Sequence, residues 1–274
     1  MESLEDLVRI KNTTNNEEEI IKFIIEKPEQ VINMSIYNLA QATHTSTSSI
    51  IRFCKKCNYK GFKDFKISLI QCIDKEINDI NNIDVNMPFR KNDTDLVIAK
   101  KISQLSIETI KATFNLLSSS KLQTAVDQII NANSVFAVGV GDNYIRLCDF
   151  KTKLLLINFY IKMTQLEDDQ IRLTNLSTKK DVAIILSYSG ETKKVLECAQ
   201  KFFLNRTPII AITSNEHSHL ASLADQIFLI PNKENSKVSF SNFSSHVSIE
   251  YILNTIYSCM FSRNYLANCK YTQN

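Results

Sequence analysis

The sequence predicts an α/β chain in two parts: an all-α helix-turn-helix domain, then a doubly wound sheet of five parallel strands. Three observations predict this. From about residue 135 to residue 230, short apolar runs alternate with helical patterns, which implies parallel strands joined by right-handed crossovers. The chain keeps only four glycines, Gly61, Gly139, Gly141 and Gly190, and the last three fall at two strand-to-helix junctions. Before residue 75 there are short capped helices instead of strands, with basic side chains gathered on them. At 274 residues, 44% apolar and 22% charged, the chain has the composition of an ordinary globular protein of one or two domains.

Thr14-x-x-Glu17 has capping-box spacing ahead of Ile20, Ile21, Phe23, Ile24 and Ile25, and predicts a helix over 14–27. Pro28 ends it or opens the next turn. Ser35 caps a short helix over 36–41 that buries Ile36, Leu39 and Ala40. Ser46 caps another through about Cys57, with Ile50, Phe53, Cys54 and Cys57 on one face. Thr47, Ser49, Arg52, Lys55 and Lys56 are left for the other faces. Two short helices joined by a tight turn, the second polar and basic outside, suit a helix-turn-helix lying in a major groove.

Charge supports that reading. Arg52, Lys55, Lys56, Lys60, Lys63 and Lys66 stand against Asp64 alone over residues 41–70, in a chain whose net charge is +3. On charge alone such a block is either a solvated lysine face or the footprint of a polyanion, and on a helix-turn-helix the polyanion is double-stranded DNA. The candidate contacts are Ser46, Thr47, Ser49, Arg52, Lys55, Lys56 and Lys60: hydroxyls for close approach, lysines for phosphates, arginine for guanine. Phe62 and Phe65 tuck a further helix under this one, with Lys63 and Lys66 facing out. Cys54-x-x-Cys57 has zinc-half-site spacing, but it lacks a second pair and lies on the apolar face, so core packing is expected and no metal.

Residues 75–95, rich in Asn, Asp and Ile, read as a linker that is helical at its start. A long helix follows over 95–117, then one capped by Ser120 and ending near residue 133. Strands are predicted at 135–138, 160–163, 182–186, 209–213 and 226–230. Helices are predicted at 144–157, 168–176 and 192–204, with a helical turn before the last strand and a closing helix over 244–261. The apolar residues of 96–117 and Ile249, Ile252, Leu253 and Ile256 exceed what one sheet face needs, which predicts pairing with a second copy.

Ser187-Tyr188-Ser189-Gly190-Glu191-Thr192 places three small hydroxyls and a glycine directly after the strand over 182–186. At such a junction the first amides of the following helix lack partners and carry partial positive charge, so the segment suits a phosphate. Gly139-x-Gly141 lacks the third glycine of a dinucleotide fingerprint, and no acid closes the next strand, so no nucleotide cofactor is expected.

Met34-Ser35-Ile36-Tyr37-Asn38-Leu39-Ala40, Ser48-Ser49-Ile50-Ile51-Arg52-Phe53-Cys54-Lys55-Lys56 and Tyr59-Lys60-Gly61-Phe62-Lys63-Asp64-Phe65-Lys66 resemble the N-terminal domain of RpiR-type bacterial transcription regulators. Asn58 stands where that family usually has glycine. The Ser-x-Ser-Gly-x-Thr turn, with the Gly139–Gly141 turn and Ile212-Thr213-Ser214, resembles the sugar isomerase (SIS) phosphosugar-binding fold over about 105–265. The resemblance implies a helix-turn-helix domain over 1–75, a linker and connecting helix over 76–104, and a SIS domain over 105–274. It further implies a regulator whose operator binding responds to a phosphorylated sugar. Ser187, Ser189, Gly190 and Thr192 would cradle the phosphate, and Gly141 and Asn143 would meet the sugar, asparagine replacing a frequent serine. Asn242 falls near the position where that fold frequently has an arginine, shortly before the last helix, and Glu250 is at the usual acid position.

The competing class is a sugar-phosphate isomerase, with His246 and Glu250, or Glu191 or His217, as acid and base. An isolated enzyme has no need of a basic helix-turn-helix, so the joint presence of both modules favours a non-enzymatic regulator over the isomerase. The preserved serines argue against a lapsed pocket that serves only to dimerise. A homodimer or homotetramer in the cytoplasm, away from membranes, is expected. No apolar run approaches about 18 residues, residues 1–6 are acidic, unlike a signal peptide, and seven cysteines suit a reducing compartment.

Overall fold

The computed structural model describes residues 7, 10–81, 83–91, 93, 95–235 and 242–271, with Glu29 and residues 74–81 as backbone alone. The acidic residues 1–6 lie outside the described residues. The chain divides into two compact units, Met1–Ile83 and Asp84–Asn274.

The first unit holds α1 (Asn15–Glu26), α2 (Pro28–Asn33), α3 (Ile36–Ala42), α4 (Thr47–Lys56) and α5 (Phe62–Asn81). The capping box at α1 forms in both directions: Glu17 N donates to Thr14 Oγ1, and Thr14 N donates to Glu17 Oε2 at 2.9 Å. Ser35 caps α3 and Ser46 caps α4 through their side-chain oxygens, each worth about 1 kcal/mol. Ile20, Ile24, Val31, Leu39, Ile50, Phe53, Cys54, Phe65 and Leu69 form one buried core. Phe65 stands edge-on to both Phe53 and Tyr59. Asn58 takes the left-handed conformation (φ 65°) in the turn after α4, so asparagine serves there in place of glycine. Cys54 is buried and its thiol is pushed up to about 12, chiefly by desolvation, while Cys57 is pushed up to about 11.

The second unit runs α6 (Asp95–Leu116), α7 (Ser119–Asn131), β1 (Val135–Val138), α8 (Asp142–Leu155), β2 (Ile161–Lys162), α9 (Glu167–Thr174) and β3 (Val182–Leu186). It continues through α10 (Lys193–Leu204), β4 (Ile209–Thr213), α11 (His219–Leu223), β5 (Gln226–Leu229), α12 (Phe243–Arg263) and α13 (Tyr265–Tyr271). The five strands are all parallel in the order β2-β1-β3-β4-β5. Both faces are covered, and alternate residues go to opposite cores. Val135, Ala137, Val182, Ile184, Leu186, Ile210 and Ile212 join α7, α8 and α12. Phe136, Val138, Ala183, Ile185, Ile209 and Ala211 join α9, α10 and α11. That is why the strands read as unbroken apolar runs.

Four sequence expectations change. Ser118, not Ser120, occupies the cap position of α7. β2 is only two residues long, and Lys162 on it is exposed, its ammonium 5.1 Å from the Phe136 ring centre. Ile249, Ile252, Leu253 and Ile256 of α12 are not spare: they are buried in this unit's own core. A last helix, α13, follows α12 where no helix is expected. α12 also meets α6 through buried hydroxyls, with Thr113 Oγ1 donating to Ser248 Oγ at 2.9 Å and Thr109 Oγ1 3.2 Å from Ser244 Oγ.

Candidate functional site

In the first unit, α4 and its flanks carry the basic block. Arg52, Lys55 and Lys60 are exposed, and Thr47 is half-buried at the start of α4. Three expected outward residues are engaged instead. Ser49 is 8% exposed and lies 2.9 Å from the Ser46 hydroxyl, whose oxygen also accepts from Ser49 N. The two serines therefore build the helix start, and Ser49 offers little to a ligand. Lys56 Nζ donates to Glu17 Oε2 at 2.8 Å and to Asn12 O at 2.7 Å, tying α4 back to α1. Lys66 turns inward to the carbonyls of Ile32 and Met34 at the end of α2. Lysine there satisfies helix-terminal carbonyls that have no intrahelical partner. The open basic face is Arg52, Lys55, Lys60 and Lys63.

In the second unit, three turns meet at the C-terminal edge of the sheet, where ligands of open α/β sheets bind. After β3 the chain passes Ser187 to Thr192 and enters α10. Ser187 is 1% exposed, its hydroxyl 3.0 Å from Thr192 Oγ1 and accepting from Gly190 N at 3.1 Å. It frames the turn. Ser189 is exposed and accepts from Glu191 N, while Thr192 is half-buried at the cap position of α10, which has no side-chain cap bond. Gly190 has φ 70°, and a Cβ on it would overlap the Ser218 side chain. Glycine is required there on both counts.

Sequence reasoning missed three supports of the turns at this edge. Ser218 caps α11 and underlies Gly190; its signal is the cap spacing ahead of α11. Glu191 accepts from His219 N at 2.9 Å and lies 2.7 Å from His219 Nδ1, and these contacts hold its carboxyl below the usual range. Gln170 is buried and pairs with both the N–H and the C=O of Gly139, fixing the end of β1 from α9. No local pattern announces Gln170.

Gly141 (φ 57°) takes the cap position of α8, with Asn143 half-buried on its first turn. Beside them two side-chain pairs join α8 to α12: Asp142 to His246 at 3.5 Å and Arg146 to Glu250 at 3.7 Å. A cavity of 350 Å³ lined by Leu116, Ser214, Glu216, Asn232 and Lys233 includes none of the turn serines. Within the turn only Ser189 and Glu191 are exposed, and its chemistry marks it. Among the described residues no cluster of His, Cys, Asp and Glu is arranged to hold a metal ion, and no helix is long and apolar enough to cross a membrane.

A basic helix-turn-helix followed by a doubly wound α/β domain defines a two-module class of transcription regulator. Residues 2–76 match the helix-turn-helix domain of the rpiR family, and residues 128–254 match the SIS domain. The chain belongs to the RpiR-type transcription regulators. An uncharacterized HTH-type transcriptional regulator of Caldanaerobacter subterraneus is 28% identical over 263 residues, 95% of this chain and 90% of that one. Among solved structures, the Vibrio vulnificus NanR protein complexed with ManNAc-6P is 21% identical, covers 98% of this chain and 95% of its own, and has a TM-score of 0.60. A putative sugar-phosphate isomerase of Listeria monocytogenes is 15% identical over 64% of this chain and 94% of its own, with a TM-score of 0.56. At those identities the two structures show a shared fold.

Proposed function

We propose that this regulator binds its operator through α3 and α4 and that a phosphorylated sugar, held at the Ser187–Thr192 turn, modulates that binding. The observation that carries the reading is the turn itself: Ser189 and Thr192 open beside an uncapped helix start, held by Ser187, Gly190 and Ser218. Ser189, Thr192 and the first amides of α10 take the phosphate, and Gly141 and Asn143 take the sugar. NanR of Vibrio vulnificus, of the same fold, is described as complexed with ManNAc-6P, which supports a sugar phosphate as the effector. Arg52, Lys55, Lys60 and Thr47 contact DNA, with Ser46, Ser49 and Lys56 holding α4 in shape.

The protein acts without turnover, as a homodimer or homotetramer in the cytoplasm. Ile107, Ile110 and Phe114 form an exposed apolar stripe on α6 that a second copy covers, which suits an operator of two half-sites. The isomerase reading keeps one observation, the Asp142, His246, Arg146 and Glu250 cluster beside Gly141. Calorimetry with a panel of sugar 6-phosphates, followed by operator gel shifts with and without the binder, tests the proposal. An NMR time course on the same ligand tests the enzyme. Saturable binding that shifts operator affinity, with the ligand unchanged, supports the regulator. Conversion of the ligand to an isomer supports the enzyme.

A further inference from the structure

Tyr188 stands between the two serines of the turn, and its side chain leaves it. Its carbonyl accepts three hydrogen bonds from the end of β4: from Thr213 Oγ1 at 3.0 Å, Ser214 N at 2.9 Å and Ser214 Oγ at 2.8 Å. The backbone of the turn is thereby fixed to the sheet. The phenol hydroxyl meets the segment after β5, accepting from Glu234 N at 2.9 Å and donating to Asn232 Oδ1 at 3.4 Å. Burial raises the Tyr188 pKa, which keeps the phenol neutral and able both to donate and to accept.

The same segment is held by a residue far away in sequence. Asn235 N donates to Asn86 Oδ1 at 2.6 Å, and Asn86 Nδ2 donates to Lys233 O at 3.4 Å. Asn86 belongs to the stretch that leads from α5 to α6, and Asn86 N closes a local turn on Asp84 Oδ1. Pro88 is buried in that stretch, and its far end is pinned by Lys101 of α6, whose ammonium donates to Asp93 Oδ2 at 2.7 Å. Glu234 Oε1 in turn accepts from Ser245 N in the first turn of α12.

We infer that Tyr188 is a positioning residue that couples the phosphate turn, through residues 232–235 and Asn86, to the stretch leading back to the helix-turn-helix unit. The inference rests on the proposed phosphate reading of the turn. A ligand shifts a conformational equilibrium only through contacts that differ between the two states. A turn that tightens on a phosphate carries Tyr188 with it, and the phenol hydroxyl then changes what holds 232–235 and the Asn86 stretch. Phosphate contacts are made by Ser189 and Thr192, so the coupling residue is distinct from the binding residues.

Hydrogen–deuterium exchange on the full chain tests it without a known effector. Tyr188→Phe keeps the ring and removes the hydroxyl. It is expected to speed exchange about fivefold in 232–235 and in 84–91 while β1, β3 and β4 stay as protected as in the wild type. Unchanged exchange in 84–91 overturns the coupling. Asn86→Ala removes the relay and is expected to loosen 84–91 and 232–235, after which phosphate slows 187–192 alone; slowing of 84–91 by phosphate in that variant overturns the route through Asn86. Inorganic phosphate at tens of millimolar is the ligand probe. In the wild type it is expected to slow 187–192 and 84–91 together, and in Tyr188→Phe only 187–192. Slowing of 187–192 without 84–91 in the wild type overturns the coupling. No slowing at 187–192 overturns the phosphate reading, and the ligand-free comparison then decides the coupling alone.

Discussion

The two units both offer small hydroxyls and a tight turn to an anion, yet they distribute the work differently. On the helix-turn-helix unit the charges ride on separate, exposed side chains: Arg52, Lys55, Lys60 and Lys63 share no hydrogen bond with one another among the described contacts, Arg52 reaching only the Ser49 hydroxyl. At the end of β3 the hydroxyls and the backbone hold each other, Ser187 to Thr192 and Gly190, Gly190 over Ser218, Glu191 on His219. A distributed site loses affinity in increments and responds to salt. A mutually braced one fails as a whole when its brace is removed. Two different kinds of mutational response follow.

The largest effect is expected at Gly190. Gly190→Ala places a Cβ into Ser218 at a left-handed position, so the turn must open; sugar-phosphate binding is expected to vanish, and the unit to lose about 2–4 kcal/mol in a thermal or urea melt. Retained ligand binding in that variant would remove the distinction between the units. Next comes salt. Operator affinity is expected to fall by orders of magnitude between about 50 and 200 mM salt, while phosphosugar affinity measured by calorimetry changes far less. Arg52→Ala is expected to cost about 1–3 kcal/mol of operator binding, with the melting temperature unchanged.

Ser189→Ala comes next, with a tenfold weaker phosphosugar dissociation constant, the loss of one hydrogen bond to a charged group of about 1.5 kcal/mol. Operator binding without ligand should be untouched. The smallest effect concerns Lys56 and Glu17, where the helix-turn-helix unit imitates the bracing of the other. The Lys56 ammonium beside Glu17, with the Thr14 cap, holds that carboxyl below its ordinary value of 4.5. A depressed carboxylate contributes stability that is complete above the ordinary value and is lost as pH falls through the depressed one. Acid titration of the melting temperature should therefore show a step below about pH 4.5 that Lys56→Met diminishes, without the loss of salt-dependent DNA binding expected for Arg52→Ala. A larger loss of operator affinity than of stability in Lys56→Met would return Lys56 to the DNA face.

Where the sequence and the structure agree, the physics is local. β1, β3 and β4 stand where their apolar runs predict, because a strand buried on both faces leaves an uninterrupted signature. Thr14, Ser35 and Ser46 cap their helices because capping needs only a spacing of three residues. Several of the departures depend on a distant partner. Lys56 and Lys66 look like outward charged residues until Glu17 and the α2 carbonyls are in place. Ile249, Ile252, Leu253 and Ile256 look surplus until α6, α7 and α8 are folded around them. Gln170 and Tyr188 act across 31 and 46 residues, and no pattern of neighbours encodes such a reach.

β2 is the shortest strand, and it forms one edge of the sheet. Its two residues leave almost no length of open backbone for a foreign strand, and the exposed Lys162 places a positive charge on what remains. Self-pairing between copies along a sheet edge needs several consecutive free amides and an uncharged rim. This edge supplies neither, so concentrated solutions of the protein should resist fibril growth seeded at β2, and lengthening that strand or replacing Lys162 with an apolar residue is the change to avoid in any engineered version.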